Sequence, residues 1–177
     1  GDDSGDNISV KNPNFCELTA LYWGWKNLLD VEVLGLAHYR RHFTMRNIAA
    51  YQMFGKWSSV LTEGQLKSLL EQAPVILPNK RHYYIETNAS HYKHAHIAAA
   101  LDTTRVIIRE KFPEYFDGFE KVMQRTDAHM FNMLIMQREY LNEYCTWLFS
   151  ILFELESRLD ISNYSPSEAR VFGYISE

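Results

Sequence analysis

The chain is poor in the features that announce the simplest functions. It has no run of 18 or more apolar residues, so no segment reads as a membrane span. Nothing at its start reads as a signal peptide. Basic residues are in deficit, 18 Lys and Arg against 22 Asp and Glu, for a net charge of −4. Bulk nucleic-acid binding needs a basic footprint, so nucleic acid is not an expected partner. The two cysteines, Cys16 and Cys145, lie far apart in apolar helical patterns. They read as buried, reduced thiols, which points to the cytoplasm and leaves peripheral attachment at the inner face of the membrane open. Core thiols also make a Cys–His nucleophile unexpected. No Gly-rich phosphate loop, Gly-x-Ser-x-Gly elbow or His-Glu-x-x-His helix occurs.

What is present is enough for a folded domain. With 177 residues, 46% of them hydrophobic and 14% aromatic, the chain reads as one domain over 1–177 with a sizeable core. It begins at Gly1 without a methionine and stops mid-pattern at Glu177, as expected of a piece of a longer domain. Apolar spacing predicts a helix over Phe15–Leu29, opened by a capping box of Asn14 and Glu17. A buried strand is expected over Val31–Ala37, and a long aromatic loop over 42–60. Thr62 and Gln65 form a second capping box, opening a helix to about Gln72. A short strand, Val75–Pro78, and a loop over 79–92 follow. Helices are expected over 93–111, from Pro113, and over Glu139–Leu159, with an apolar strand over Phe131–Met136 between the last two. Strands alternating with helices argue an α/β fold with a helix-rich C-terminal half.

The charged residues cluster at the ends of the apolar segments. The apolar stretch from Val31 runs into His38, Tyr39, Arg40 and Arg41. Ligands of open α/β sheets bind just past the carboxyl ends of strands, and guanidinium groups suit phosphate. In an extended chain His38 and Arg40 would share one face, Tyr39 and Arg41 the other. Lys80 and Arg81 follow the second strand and could add phosphate contacts. Glu86, among aromatic residues, is a candidate general base, with Asp127 as its rival. Asn132, heading an apolar strand, could hold a ligand hydroxyl or simply satisfy backbone groups. Asp2, Asp3 and Asp6 could ligate a hard cation such as Mn or Mg, or be a solvated loop. His91, His94 and His96 have partial zinc spacing, but no carboxylate or cysteine completes the set.

Several segments together resemble a known family. They are Asp-Asn-Ile-Ser (6–9), Lys11-Asn12, Cys-Glu-Leu-Thr-Ala-Leu-Tyr-Trp-Gly-Trp-Lys-Asn (16–27) and Gly-Leu-Ala-His-Tyr-Arg-Arg-His-Phe (35–43). Further matches are Ile-Leu-Pro-Asn-Lys-Arg (76–81), Asn-Met-Leu-Ile-Met (132–136), residues 144–156 and residues 170–177. The chain is similar over nearly its whole length to bacterial glycosyltransferases of capsular and exopolysaccharide clusters, long catalogued as a domain of unknown function. The resemblance implies a GT-A-like, Rossmann-like fold lacking its N-terminal strand unit. It also implies transfer of a sugar from a nucleotide-diphosphate donor to a glycan or lipid-linked oligosaccharide acceptor. Where many GT-A enzymes carry an acidic metal motif, this chain has His-Tyr-Arg-Arg. His38, Arg40 and Arg41 would then meet the diphosphate directly. The alternative is a non-catalytic glycan-binding module of the same pathway.

Overall fold

A computed structural model describes residues 1–45 and 57–177 of the chain. The sequence supports helices wherever an apolar period of 3.6 meets a start signal. The first expected helix is divided. α1 (Asn12–Phe15) starts with Pro13 in its first turn, and α2 (Leu18–Asn27) follows. Cys16 lies between them at φ 53°, ψ −133°, a conformation that no helix can continue. The Asn14–Glu17 box is not formed. The Asn14 amide instead donates to the carbonyl of Ala169 at 2.8 Å, and the Glu17 carboxylate accepts from Asn132.

β1 (Val33–Leu36) is shorter than expected and half-exposed rather than buried. Residues 46–56, most of the expected 42–60 loop, lie outside the described residues; Trp57–Ser59 forms one 3-10 turn. α3 (Glu63–Gln72) opens on the expected capping box, with Thr62 and Gln65 satisfying each other's backbone amides. β2 (Val75–Ile76) follows. The stretch read as a loop after it contains β3 (Arg81–His82), which pairs with β4 (Asp127–Ala128), and the start of α4 (Asn88–Ala95). α4 and α5 (Ala98–Lys111) replace the single expected helix, because His96 and Ile97 are extended. Pro113 restarts the chain as α6 (Pro113–Met123). β5 (Leu134–Gln137), the long α7 (Arg138–Arg158), a 3-10 turn (Glu168–Arg170) and α8 (Val171–Ile175) complete the fold.

Among the described residues the main sheet has the order β1-β5-β2, with β5 antiparallel to both neighbours. Every strand pairing in the described part of this sheet is antiparallel. β1 and β2 run the same way, separated by a reversed central strand. β5 is central and buried, which explains its continuous apolar run from Met133 to Met136.

α7 packs against the sheet and against α2 and α5. Leu141, Cys145, Leu148, Leu152 and Leu155 form its buried stripe, as the 3.6 period requires. Each buried leucine contributes about 1.5–3 kcal/mol relative to exposure. Aromatic side chains close the core: Phe15 stacks on Phe172 at 4.7 Å, and Tyr22 meets Phe149 edge-on at 5.0 Å. α1 and α8 are thereby joined across more than 150 residues of sequence, and with them the two ends of the candidate site.

Candidate functional site

The carboxyl ends of β1 and β2 and the start of β5 lie at one end of the sheet. There β1 gives way to a tight turn rather than an extended run. The Arg41 amide donates to the His38 carbonyl at 3.0 Å, and the Arg40 amide points at His38 Nδ1, 3.3 Å away. The expected alternation of the four side chains does not occur. Arg40 lies over the Tyr39 ring instead, and Arg41 lies 3.9 Å over the ring of Phe131. Burial, and then the charge of Arg41, lower the pKa of His38 below its usual 6.5, against the pull of Glu17. The ring is neutral near pH 7, and with Nδ1 facing an amide its Nε2 carries the proton.

Phe131 and Asn132 enter β5 with φ of 77° and 52°. With Cys16 they make three non-glycine residues in the left-handed region at one end of the fold. Such conformations cost about 1–3 kcal/mol each and persist where the surroundings enforce them. The enforcing contacts are visible. Asn132 Nδ2 donates to Glu17 Oε1 and to the Gly173 carbonyl, both at 3.0 Å, and its Oδ1 accepts from Ser176 at 2.9 Å. Arg170 Nε lies 3.2 Å from Cys16 Sγ. Gly173 is held so close to Cys16 that a Cβ there would stand 2.9 Å from the sulfur. Cys16 is therefore a half-exposed member of this cluster and not a core thiol; only Cys145 is buried.

Two carboxylates complete the arrangement. Glu17 is held by Asn132. Glu177 is exposed as a residue, yet its carboxyl group is withdrawn enough that burial pushes its pKa above the usual 4.5. The charge of Glu17 adds to this, and the Phe131 amide, Arg41 and Arg170 oppose it. The site thus combines three basic side chains (His38, Arg41, Arg170) with a fixed carboxylate and a carboxyl group of raised proton affinity. Of these, Glu17, Arg170 and Glu177 were not singled out as site residues, although they fall in the resemblance segments 16–27 and 170–177.

The remaining sequence candidates lie elsewhere in the fold. Asp127 is paired with Arg125 at 2.6 Å and Lys80 at 3.5 Å. Partial burial pushes its carboxyl up, but these two charges hold it below the usual range. Arg81 is exposed on β3, its guanidinium 6.0 Å from the Tyr83 ring. Glu86 accepts from His91 at 2.9 Å and His94 at 2.6 Å, and these bonds lower its pKa. His96 turns away to stack on Tyr174 at 4.2 Å. The Asp6 carboxylate accepts from Tyr22, and its backbone pairs with Asn27 on the outer side of α2. Among the described residues no three His, Cys, Asp or Glu side chains are grouped to hold a metal ion, so neither the aspartates nor the histidines form a ligand set. Nor is any described helix long and apolar enough to cross a membrane.

The fold and this site define a mixed α/β protein with a basic, carboxylate-bearing pole at its strand ends. Residues 1–177 match the family described as "Domain of unknown function (DUF4422)", and the chain belongs to that family. Among solved structures it is similar to one described as the apo structure of the bifunctional glycosyltransferase WbbM. The two share 31% sequence identity with a TM-score of 0.85 over 99% of this chain and 34% of that one. The chain thus spans about a third of the length of that glycosyltransferase. No curated protein matches it.

Proposed function

We propose that the protein is a GT-A-like glycosyltransferase of bacterial capsular or exopolysaccharide synthesis. It would move a sugar from a nucleotide-diphosphate donor to a hydroxyl of a glycan, free or lipid-linked. The observation that carries this reading is the match of 99% of the chain, at 31% identity, to part of a glycosyltransferase. The strand-end pole supports it chemically. In the transfer, the bond from the anomeric carbon to the acceptor oxygen forms as the bond to the diphosphate breaks. The electron pair leaves with the diphosphate, and the acceptor proton must go to a base.

Arg41 and Arg170, with Arg40 from the same turn, would neutralise the leaving diphosphate, and neutral His38 would donate to it through Nε2–H. Lys80 and Arg81, which lie away from the pole with Lys80 paired to Asp127, take no part in this step. No step is assigned to Mn or Mg. For the base we place Glu177 ahead of Glu86 and Asp127. General bases work best with a pKa near the working pH. Glu177 is raised toward that range, whereas Glu86 and Asp127 are lowered by their cationic partners.

The test is release of nucleoside diphosphate from a panel of nucleotide sugars by the full-length protein, with and without glycan acceptors. Glu177→Gln should cost about 10²–10⁴ in kcat without loss of fold, and Glu86→Gln much less. Turnover by Glu177→Gln at the wild-type rate would remove it from the base role. No release from any donor by folded protein would sink the transferase reading.

A further inference from the structure

Two hollows adjoin the strand-end pole. One, of about 130 Å³ between α4, α5 and α6, is smaller than the cavity of about 150 Å³ that takes benzene. The other is an open recess of about 310 Å³ between the end of β2, the loop before β5 and the C-terminal turn. That is about twice the benzene volume and at the low end of ligand pockets, about 300–1,000 Å³. One side of the recess is apolar. Buried Met133 and Leu134 back it, Met130 is half-buried, and Leu77, 40% exposed, stands at the rim. Methionine suits such a wall because its side chain is flexible and polarizable.

The polar side is of one kind. His129 is exposed, and its Nδ1 lies 2.6 Å from the carbonyl oxygen of Pro78. A carbonyl only accepts, so Nδ1 carries the proton and Nε2 of the neutral ring is an acceptor. Ser176 has one hydroxyl proton, engaged by Asn132 Oδ1 at 2.9 Å or the Gly173 carbonyl at 2.8 Å, so its oxygen too can only accept. Ionised Glu177 likewise accepts only. The Asn132 side chain is fully engaged by Glu17, Gly173 and Ser176 and forms wall rather than contact.

A lining of acceptors selects its occupant. An ionised phosphate or carboxylate would bring more acceptors, and neither arginine nor lysine lines the recess to meet it. An acyl chain would leave the polar side unmatched. A hydroxylated ring supplies O–H donors at its edge and C–H faces for the apolar side. Glu177 joins this recess to the pole, since it lines the recess while the charges of Arg41 and Arg170 act on its carboxyl. A ring seated there brings a hydroxyl to the group assigned above as base.

We propose that this recess binds one neutral sugar ring, its hydroxyls donating to His129 Nε2, Ser176 Oγ and Glu177 and its apolar face set against Leu77 and Met130. Placing that ring as the acceptor's rests on the transferase reading; the sugar site itself does not.

The experiment is calorimetric titration of the full-length protein with neutral methyl glycosides, the matching methyl uronates, and nucleoside diphosphate alone. Wild type should bind a neutral glycoside at least tenfold more tightly than its uronate. Leu77→Trp fills the recess from an exposed position and should abolish glycoside binding. His129→Phe keeps a ring and removes the acceptor, so it should weaken glycoside binding about three- to tenfold, the size of one neutral hydrogen bond. Both variants should keep the wild-type circular dichroism and nucleoside-diphosphate affinity. Unchanged glycoside binding in either variant overturns the proposal. So does equal binding of uronates, or a wild type that binds nucleoside diphosphate but no glycoside. A protein that binds neutral glycosides but no nucleotide keeps the sugar site and loses the transferase reading.

Discussion

The guanidinium of Arg41 lies 3.9 Å over the ring of Phe131, linking the turn after β1 to the loop before β5. Stacking occupies the face of the guanidinium and leaves its in-plane N–H donors free. That is the orientation a planar fork needs to meet an oxyanion. Phe131 holds φ 77° to present its ring there.

This relationship orders a set of variants by diphosphate affinity. Arg41→Ala removes charge-assisted bonds worth about 1.5–3 kcal/mol, about 10- to 100-fold in Kd. Arg41→Lys keeps the charge but loses the fork, and should fall between Ala and wild type. Phe131→Leu keeps the backbone and loses only the stack, about 0.5–1 kcal/mol. Titration of nucleoside diphosphate into each variant checks the order. An Arg41→Ala protein that binds like wild type would detach Arg41 from the anion.

Gly173 and Cys16 should behave as one unit. Gly173→Ala places a methyl group 2.9 Å from Cys16 Sγ and 3.1 Å from its Cβ, so overpacking should cost about 1–3 kcal/mol. Cys16→Gly removes the sulfur and relieves φ 53° at the same position. The double variant should therefore be more stable than the sum of the two single effects, with a coupling of about 0.5–3 kcal/mol. Urea unfolding of all four proteins measures it. Strict additivity would mean that the contact carries no energy.

The Glu86 cluster should make part of the stability acid-sensitive. Hydrogen bonds from His91 and then His94 hold its carboxyl below the usual 4.5 in the folded protein. A depressed folded value means that the unfolded chain takes up the proton first as pH falls. The contribution is present above pH 4.5 and lost as the pH drops through the folded value. Melting temperatures of wild type and Glu86→Gln should differ at about pH 6 and converge as the pH falls through the lowered folded value. A gap that persists in acid would assign the effect to packing.

How much of this could be read from residues alone depended on whether the signal was local. α7 was legible because its leucines repeat at 3.6 over 21 residues. α3 was legible from Thr62 and Gln65, and the α6 start from Pro113. His38–Arg41 stood out because charge follows directly on an apolar strand. The break at Cys16 was not legible, since apolar spacing continues through it and no glycine marks the turn. The same contacts that defeat the Asn14–Glu17 box, to Ala169 and Asn132, reach across more than 100 residues. Glu17, Arg170 and Glu177 are single charges scattered along the chain, and only the packing of α1 on α8 brings them to one place.

The turn from Arg170 to Glu177 touches both the basic pole and the cavity between α4, α5 and α6. Arg170 reaches Cys16 on the basic side, Tyr174 stacks on His96 at the cavity, and Glu177 borders both. A displacement of this short segment would be felt at the basic pole and at the α4–α6 cavity together.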